Sequence, residues 1–142
     1  MSNNNKIPWD DNYKIGIKSI DDQHKTLFNL VNKLYDLDES THMKDDLKSI
    51  LYEFSDYMKI HFRDEEKYML CISYPLLEEH EKLHLGIIDT LTNIIQTPAS
   101  LNIIKSKMRI IAKRALVDHI TQEDIKIKLY ATKEGIEEVF EL

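Results

Sequence analysis

Four stretches of this chain repeat apolar residues in alternating steps of three and four, and each stripe contains at least one histidine. In the first, Ile17, Ile20, His24, Leu27, Val31 and Leu34 fall on one face of a helix. The second runs through Leu47, Ile50/Leu51, Phe54, Tyr57/Met58, His61, Glu65 and Met69. The third is Leu76, Glu79/His80, Leu83/His84, Ile87, Leu91 and Ile94/Ile95, and the fourth Ile104, Met108, Ile111, Ala115, His119 and Gln122. This is the period of an α-helix with one buried side. It predicts helices over about 19–38, 43–70, 75–95 and from near 101. Turn residues separate them at 36–41, 73–75 and 97–100, with Thr41 and Ser100 placed to cap and Pro75 to start a helix. Four such helices joined by short turns favour an all-α, up-down-up-down four-helix bundle.

The length of 142 residues suits one domain with one core. The expected division is an arm over 1–18, a bundle over about 19–130 and a tail over 131–142. In the arm, residues 1–6 read as loose, while Trp9, Tyr13 and Ile15 supply apolar groups to lie along the bundle. Gly135 reads as a helix break, and Gly86 as a point where a neighbouring helix comes close. A charged fraction of 31%, with three Gly and three Pro, fits long solvated helix faces rather than a turn-rich β fold. The net charge of -6 argues against a nucleic-acid partner. Cys71 is the single cysteine and forms no internal disulfide; it reads as a small, partly buried thiol. The polar residues 1–6 do not read as a secretory leader, and no apolar run nears the roughly 20 residues that span a bilayer. The expectation is a cytoplasmic protein, monomeric, with no membrane partner.

The histidines carry the chemistry. Of the six, only His42 lies off the stripes. His80 and His84, four residues apart, stand one above the other on the same helix face. A lone inward histidine is more often a hydrogen-bonded core residue than a ligand. Five at once each need a partner, and the stripes offer few other polar groups. Glu65 is also inward, with no inward Arg or Lys nearby, and a buried carboxylate needs a compensating cation. Asp124 follows His119 by five residues, which on a regular helix turns it about 140° away. Either the helix loosens or ends there, or Asp124 reaches round.

His24, His61, Glu65, His80, His84, His119 and Asp124 exceed the four ligands of a tetrahedral zinc. They match the needs of two transition-metal ions bridged by carboxylates. No thiolate is among them, which removes iron–sulfur clusters. Calcium and magnesium want oxygen donors; imidazole suits iron, zinc, copper or nickel. If both ions are octahedral and one solvent-derived oxygen bridges them, a single position stays open. A vacancy beside a second reducible iron is what reversible dioxygen binding requires.

These residues resemble the hemerythrin family, and closely its single-domain bacterial members. The matching pieces are Ile20-Asp21-Asp22-Gln23-His24, His61-Phe62-Arg63-Asp64-Glu65-Glu66 with Met69, the pair His80 and His84, and His119-Ile120 with Asp124 at the family's five-residue spacing. The resemblance implies two iron ions, Fe2+ or Fe3+, with an oxo or hydroxo bridge, and dioxygen as ligand. It implies that His80, His84 and His119 hold one iron and His24 and His61 the other, with Glu65 and Asp124 bridging. Leu27, Phe62, Leu116 and Ile120 stand where the family lines its oxygen pocket. There are departures. Ala115 replaces a Trp the family often carries, and Gly86-Ile87-Ile88 lies where a Phe is common. Both make the surroundings smaller-walled and imply faster ligand exchange and autoxidation.

The function expected is dioxygen carriage, storage or local delivery, not enzymatic. Two alternatives compete with it: an oxygen or redox sensor, and a di-iron oxidase or peroxidase. Oxidising di-iron bundles favour four carboxylates with paired Glu-x-x-His motifs. No such pair occupies the inward stripes here.

Overall fold

The computed structural model describes residues 6–38 and 42–136. Thr41 as a cap, the looseness of residues 1–5 and the end of the tail, 137–142, lie outside them. Among the described residues all regular structure is helical. Helix α1 spans Lys18–Asn32 and tightens into a 3-10 turn over Lys33–Asp36, short of the expected α-helical end at 38. Helix α2 is Met43–Cys71, α3 Leu77–Gln96, α4 Leu101–Ala112 and α5 Ile125–Lys133. Between α4 and α5 the chain stays helical but widens into two π-helical segments, Lys113–Asp118 and Ile120–Asp124, on either side of His119. Helix α1 packs on α2, α2 on α3 and α3 on α4, and the first π segment meets α1, closing the bundle.

The stripes are buried mainly as their spacing requires. Ile20, Leu27, Leu34, Met58, Met69, Leu91 and Met108 are all at most 1% exposed. Three positions of the third stripe depart: Leu76 and Leu83 are each 42% exposed and Glu79 is exposed as well, so His80, His84, Ile87, Leu91 and Ile94 form a narrower seam. Gln122 is also exposed, and the stripe passes instead to Asp124. Helix α3 starts two residues after Pro75, which sits in the turn. That turn closes α2 through Tyr74 N–H to Met69 O, 2.9 Å, with Ser73 at φ 56 where glycine is usual. Ser100 caps α4 as expected, its Oγ accepting from Ile103 N–H at 3.3 Å.

Gly135, at φ 69, ends α5, with Ile136 N–H reaching back to Ala131 O at 2.9 Å. Gly86 does not mark a close helix approach. A Cβ there would meet nothing within 4 Å, and the residue faces a cleft. Cys71 is exposed rather than partly buried, because it stands with Leu70 on the outward side of the last turn of α2, whose inward side is Tyr68 and Met69.

The arm is pinned at three places. Trp9 and Tyr13 pack on Phe28, with ring centroids 5.4 and 5.5 Å away. Asn32 bonds both backbone groups of Ile7, at 2.8 and 2.7 Å. Buried Asp21 accepts from the N–H groups of Ile15 and Gly16, at 2.8 and 3.2 Å. These bonds supply backbone partners the arm would otherwise lack. They also fix the start of α1, and so the height of His24 in the bundle.

Candidate metal centre

The seven expected ligands come from every wall of the bundle and meet at one point. His24 rises from α1, His61 and Glu65 from successive turns of α2, and His80 and His84 from successive turns of α3. His119 and Asp124 come from the π-helical stretch. There, His119 N–H bonds to Arg114 O and Ile125 N–H to Ile120 O, five residues back in each case. A wider turn brings residues five apart towards a common face. The result is His119 Nε2 3.1 Å from Asp124 Oδ1, with both side chains buried. The loosened helix is the answer to the spacing problem.

The nitrogen atoms crowd around the two carboxylates. Glu65 Oε1 lies 2.9 Å from His80 Nε2 and 3.0 Å from His84 Nε2, while its Oε2 is 3.4 Å from His61 Nε2 and 3.7 Å from His24 Nε2. Asp124 Oδ1 is 3.0 Å from His80 Nε2, and its Oδ2 is 3.3 Å from His24 Nε2. Rings also face one another, His24 and His61 with Nε2 atoms 3.0 Å apart and His80 and His119 likewise. Two overlapping sets emerge. Glu65, His80, His84, His119 and Asp124 offer ligand atoms within 4.8 Å of one another, as do His24, His61, Glu65 and Asp124. Both carboxylates belong to both sets.

Such crowding is costly unless charge balances it. Glu65 and Asp124 are wholly buried, and two carboxylates so close repel each other. Burial alone would raise both; the surrounding imidazoles outweigh it and hold both well below the usual carboxylate range. Burial also works against charge on the rings. For His24 and His80, the close carboxylates of Asp124 and Glu65 overcome it and hold the imidazoles at about 9 and about 10. Glu65 and Glu66 raise His84 against the same burial. His61 goes the other way, pulled down by burial and then by the neighbouring His24.

Several polar atoms remain over. Glu65 Oε2, His84 Nε2 and both Asp124 oxygens are buried with no hydrogen bond. Native interiors rarely tolerate such atoms. Lone pairs of imidazole and carboxylate converging from opposite sides are a donor set that could hold a borderline transition metal. With two sets sharing two carboxylates, the residues fit a pair of ions.

The rings are oriented from outside. His84 Nδ1 is 2.7 Å from Glu66 Oε2, and His61 Nδ1 is 2.8 Å from Gln23 Oε1, with Gln23 Nε2 donating to Asp64 Oδ2 at 2.9 Å. Sequence reasoning did not assign these partners. Their signal is that Gln23, Asp64 and Glu66 stand beside a proposed ligand, within the stretches that resemble the family. Tyr74 was missed as well. Its ring stands edge-on to His80 at 6.5 Å, and its buried hydroxyl has no hydrogen bond.

Leu27, Phe62, Leu116 and Ile120 are all buried, at 4% exposure or less. Phe62 lies flat on His84, centroids 3.7 Å apart and planes at 7°. A cleft of about 500 Å³ opens between α3 and the π segment, with Gly86, Ile87, Ile111, Arg114 and His119 in its wall. His119, at 6% exposed, is the most accessible of the five clustered histidines. Ala115 is 3% exposed.

Comparison with known proteins gives a consistent result. Residues 15–129 match the family model described as hemerythrin HHE cation binding domain. The chain is 33% identical over 112 residues to a bacteriohemerythrin of Campylobacter jejuni, covering 78% of this chain and 84% of the relative. It is 32% identical over 120 residues to a myohemerythrin of Theromyzon tessulatum, covering 84% and 89%. A bacteriohemerythrin of Clostridium acetobutylicum is 34% identical over 79 residues, covering 54% and 61%.

Proposed function

The chain belongs to the hemerythrin family, and on that premise we propose that it binds dioxygen reversibly at a non-haem di-iron centre, as a carrier, store or local supplier of oxygen. The observation that carries this is the overlap of the two ligand sets. His80, His84 and His119 would hold one ion and His24 and His61 the other, while Glu65 and Asp124 belong to both sets. The half with two imidazoles, having one protein ligand fewer, would be where dioxygen binds. When bound, such an iron pair supplies reversible two-electron chemistry towards dioxygen.

The chain's own residues do the rest. Glu66 and Gln23 hold the His84 and His61 rings with Nε2 facing inward. Leu27, Phe62, Leu116 and Ile120 form the apolar cover that excludes water, which slows autoxidation. The Glu-x-x-His spacing at Glu81 and His84 does not make an oxidase-type pair, since Glu81 faces solvent. We therefore read the protein as a binder and not an enzyme. Among the described residues no helix is long and apolar enough to cross a membrane. The reading is of a monomer acting in the cytoplasm.

The test is to express the protein, count iron per chain, and record visible spectra without oxygen and in air. Two irons with a band that appears in air and vanishes on deoxygenation is the expected result. Zinc, or no metal, overturns it. Irreversible bleaching with turnover of a reductant moves the reading to an oxidase or peroxidase.

A further inference from the structure

The hydrogen-bond chain behind His61 has a fixed direction. Asp64 Oδ2, 2.9 Å from Gln23 Nε2, is a carboxylate oxygen and can only accept. The atom it faces must therefore be the amide nitrogen of Gln23. That turns the Gln23 carbonyl towards His61, 2.8 Å from Nδ1. A carbonyl also only accepts, so His61 must carry its proton on Nδ1. The lone pair is then left on Nε2, the atom that faces Glu65 at 3.4 Å and His24 at 3.0 Å. Asp64 lies near the surface, with its side chain 16% exposed and Arg63 Nε 3.8 Å from Oδ1.

We propose that Asp64, acting through Gln23, fixes the tautomer of His61 and so makes the two-histidine half of the centre competent to hold metal. The proposal rests on the di-iron reading above. Asp64 and Gln23 are positioning residues, since neither reaches the cluster. The other half uses a shorter device, Glu66 directly on His84 Nδ1 at 2.7 Å. Partners of this kind typically change metal affinity by about 10–100-fold when lost.

Asp64→Asn is nearly isosteric but can donate as well as accept. Gln23 is then free to turn its amide over, and the Nε2–H form of His61 is no longer excluded. Gln23→Leu removes the partner altogether. In the double variant Gln23→Glu/Asp64→Asn the acceptor-only group moves one place inward. The carboxylate now at position 23 takes protons from both His61 Nδ1 and the amide now at position 64. The experiment loads each protein anaerobically with Fe(II) and follows iron release to a ferrous chelator.

Wild type should release its two ions in two phases. Asp64→Asn should speed one phase by about tenfold and Gln23→Leu by up to about 100-fold, with the other phase unchanged. The double variant should recover most of the loss. Proton–nitrogen NMR of the metal-depleted proteins should show His61 protonated at Nδ1 in wild type and in the double variant, with Nε2–H appearing in Asp64→Asn. Unchanged release and an unchanged tautomer in both single variants overturn the proposal, as does a double variant no better than Asp64→Asn. If wild type binds no metal, the proposal falls together with the di-iron reading. If it binds iron but not dioxygen, the function falls while the release phases still decide the role of Asp64.

Discussion

The two halves of the cluster use the same ligand chemistry in different surroundings. His24 and His61, each 1% exposed, come from regular turns of α1 and α2, with the neutral Gln23 amide behind His61. His80, His84 and His119 sit across the two carboxylates, with the Glu66 carboxylate behind His84, a π-helical backbone under His119 and a cleft against its outer side. The half proposed to keep an open position is the more tightly sealed. The half proposed to be fully coordinated borders the cleft. The contrast has a physical sense. A saturated ion tolerates nearby solvent, whereas an ion with a free position reacts with whatever reaches it. Apolar cover therefore matters most where coordination is incomplete.

The largest expected effect removes the distinction. Glu65→Ala takes a shared carboxylate from both halves and leaves buried imidazoles without their counter-charge. Iron content should fall at both positions, and the metal-depleted chain should lose about 3–5 kcal/mol, the usual consequence of breaking a buried charged network on one side. Metal analysis and denaturant unfolding measure the two losses. Full iron loading would show that Glu65 is not a ligand.

Acidity cuts across the halves, since His24 and His80 are raised on opposite sides while His61 is lowered. With metal removed, His24 and His80 are held at about 9 and about 10 by Asp124 and Glu65 against the effect of burial. A folded-state value above the unfolded value of 6.5 stabilises most below pH 6.5, and the benefit is lost as pH rises through 9 to 10. The melting temperature of the metal-depleted protein should therefore decline over that window. In the iron-loaded protein protons compete with metal, so occupancy should instead fall on acidification. A flat profile for the metal-depleted protein would mean that these rings are not paired with the carboxylates.

Ala115→Trp tests the cover. The added ring restores the bulk common in the family, at an overpacking cost of about 1–3 kcal/mol. Oxygen release by stopped flow and overnight autoxidation should both slow. Identical rates would sink the link between Ala115 and exchange. The smallest effect is at the cleft. Gly86→Ala adds a methyl group where nothing lies within 4 Å, and should raise stability by about 0.5–1 kcal/mol through helix propensity. Thermal denaturation reads this. A loss of stability would mean the cleft closes in solution.

The helices and the inward placement of five histidines were legible because burial imposes a period on the sequence. The seven residues that the structure gathers are those the stripes and the Asp124 spacing pointed to. What was not legible depends on contacts far apart in the chain or on backbone geometry without a compositional mark. Gln23 finds Asp64 and His61 across separations of 41 and 38 residues, and on sequence alone any of the many exposed polar residues could fill that role. The π-helical stretch is written in ordinary helix-forming residues, so only the misfit at Asp124 hinted at it. Gly86 was misjudged because glycine in a helix equally suits a tight crossing and an empty groove. The 3-10 turn after α1 and the residue that follows it are tied to the arm and α4, Lys6 to Asp36 and Lys105 to Leu37 O, by contacts no local pattern encodes.

The π-helical stretch also shifts the phase of everything that follows it. Up to His119 the buried positions Ile104, Met108, Ile111, Ala115 and His119 keep one rhythm. After it, Asp124, Ile127 and Ala131 keep the same rhythm displaced by a single residue. The last long helical run is thus two correctly wound pieces joined by a slip. The slip lets a ligand and the hydrophobic anchor of α5 both face inward, where one unbroken winding would have turned one of them out. Removing a residue between His119 and Asp124 would restore a smooth helix and leave either the metal centre or the C-terminal turn facing water.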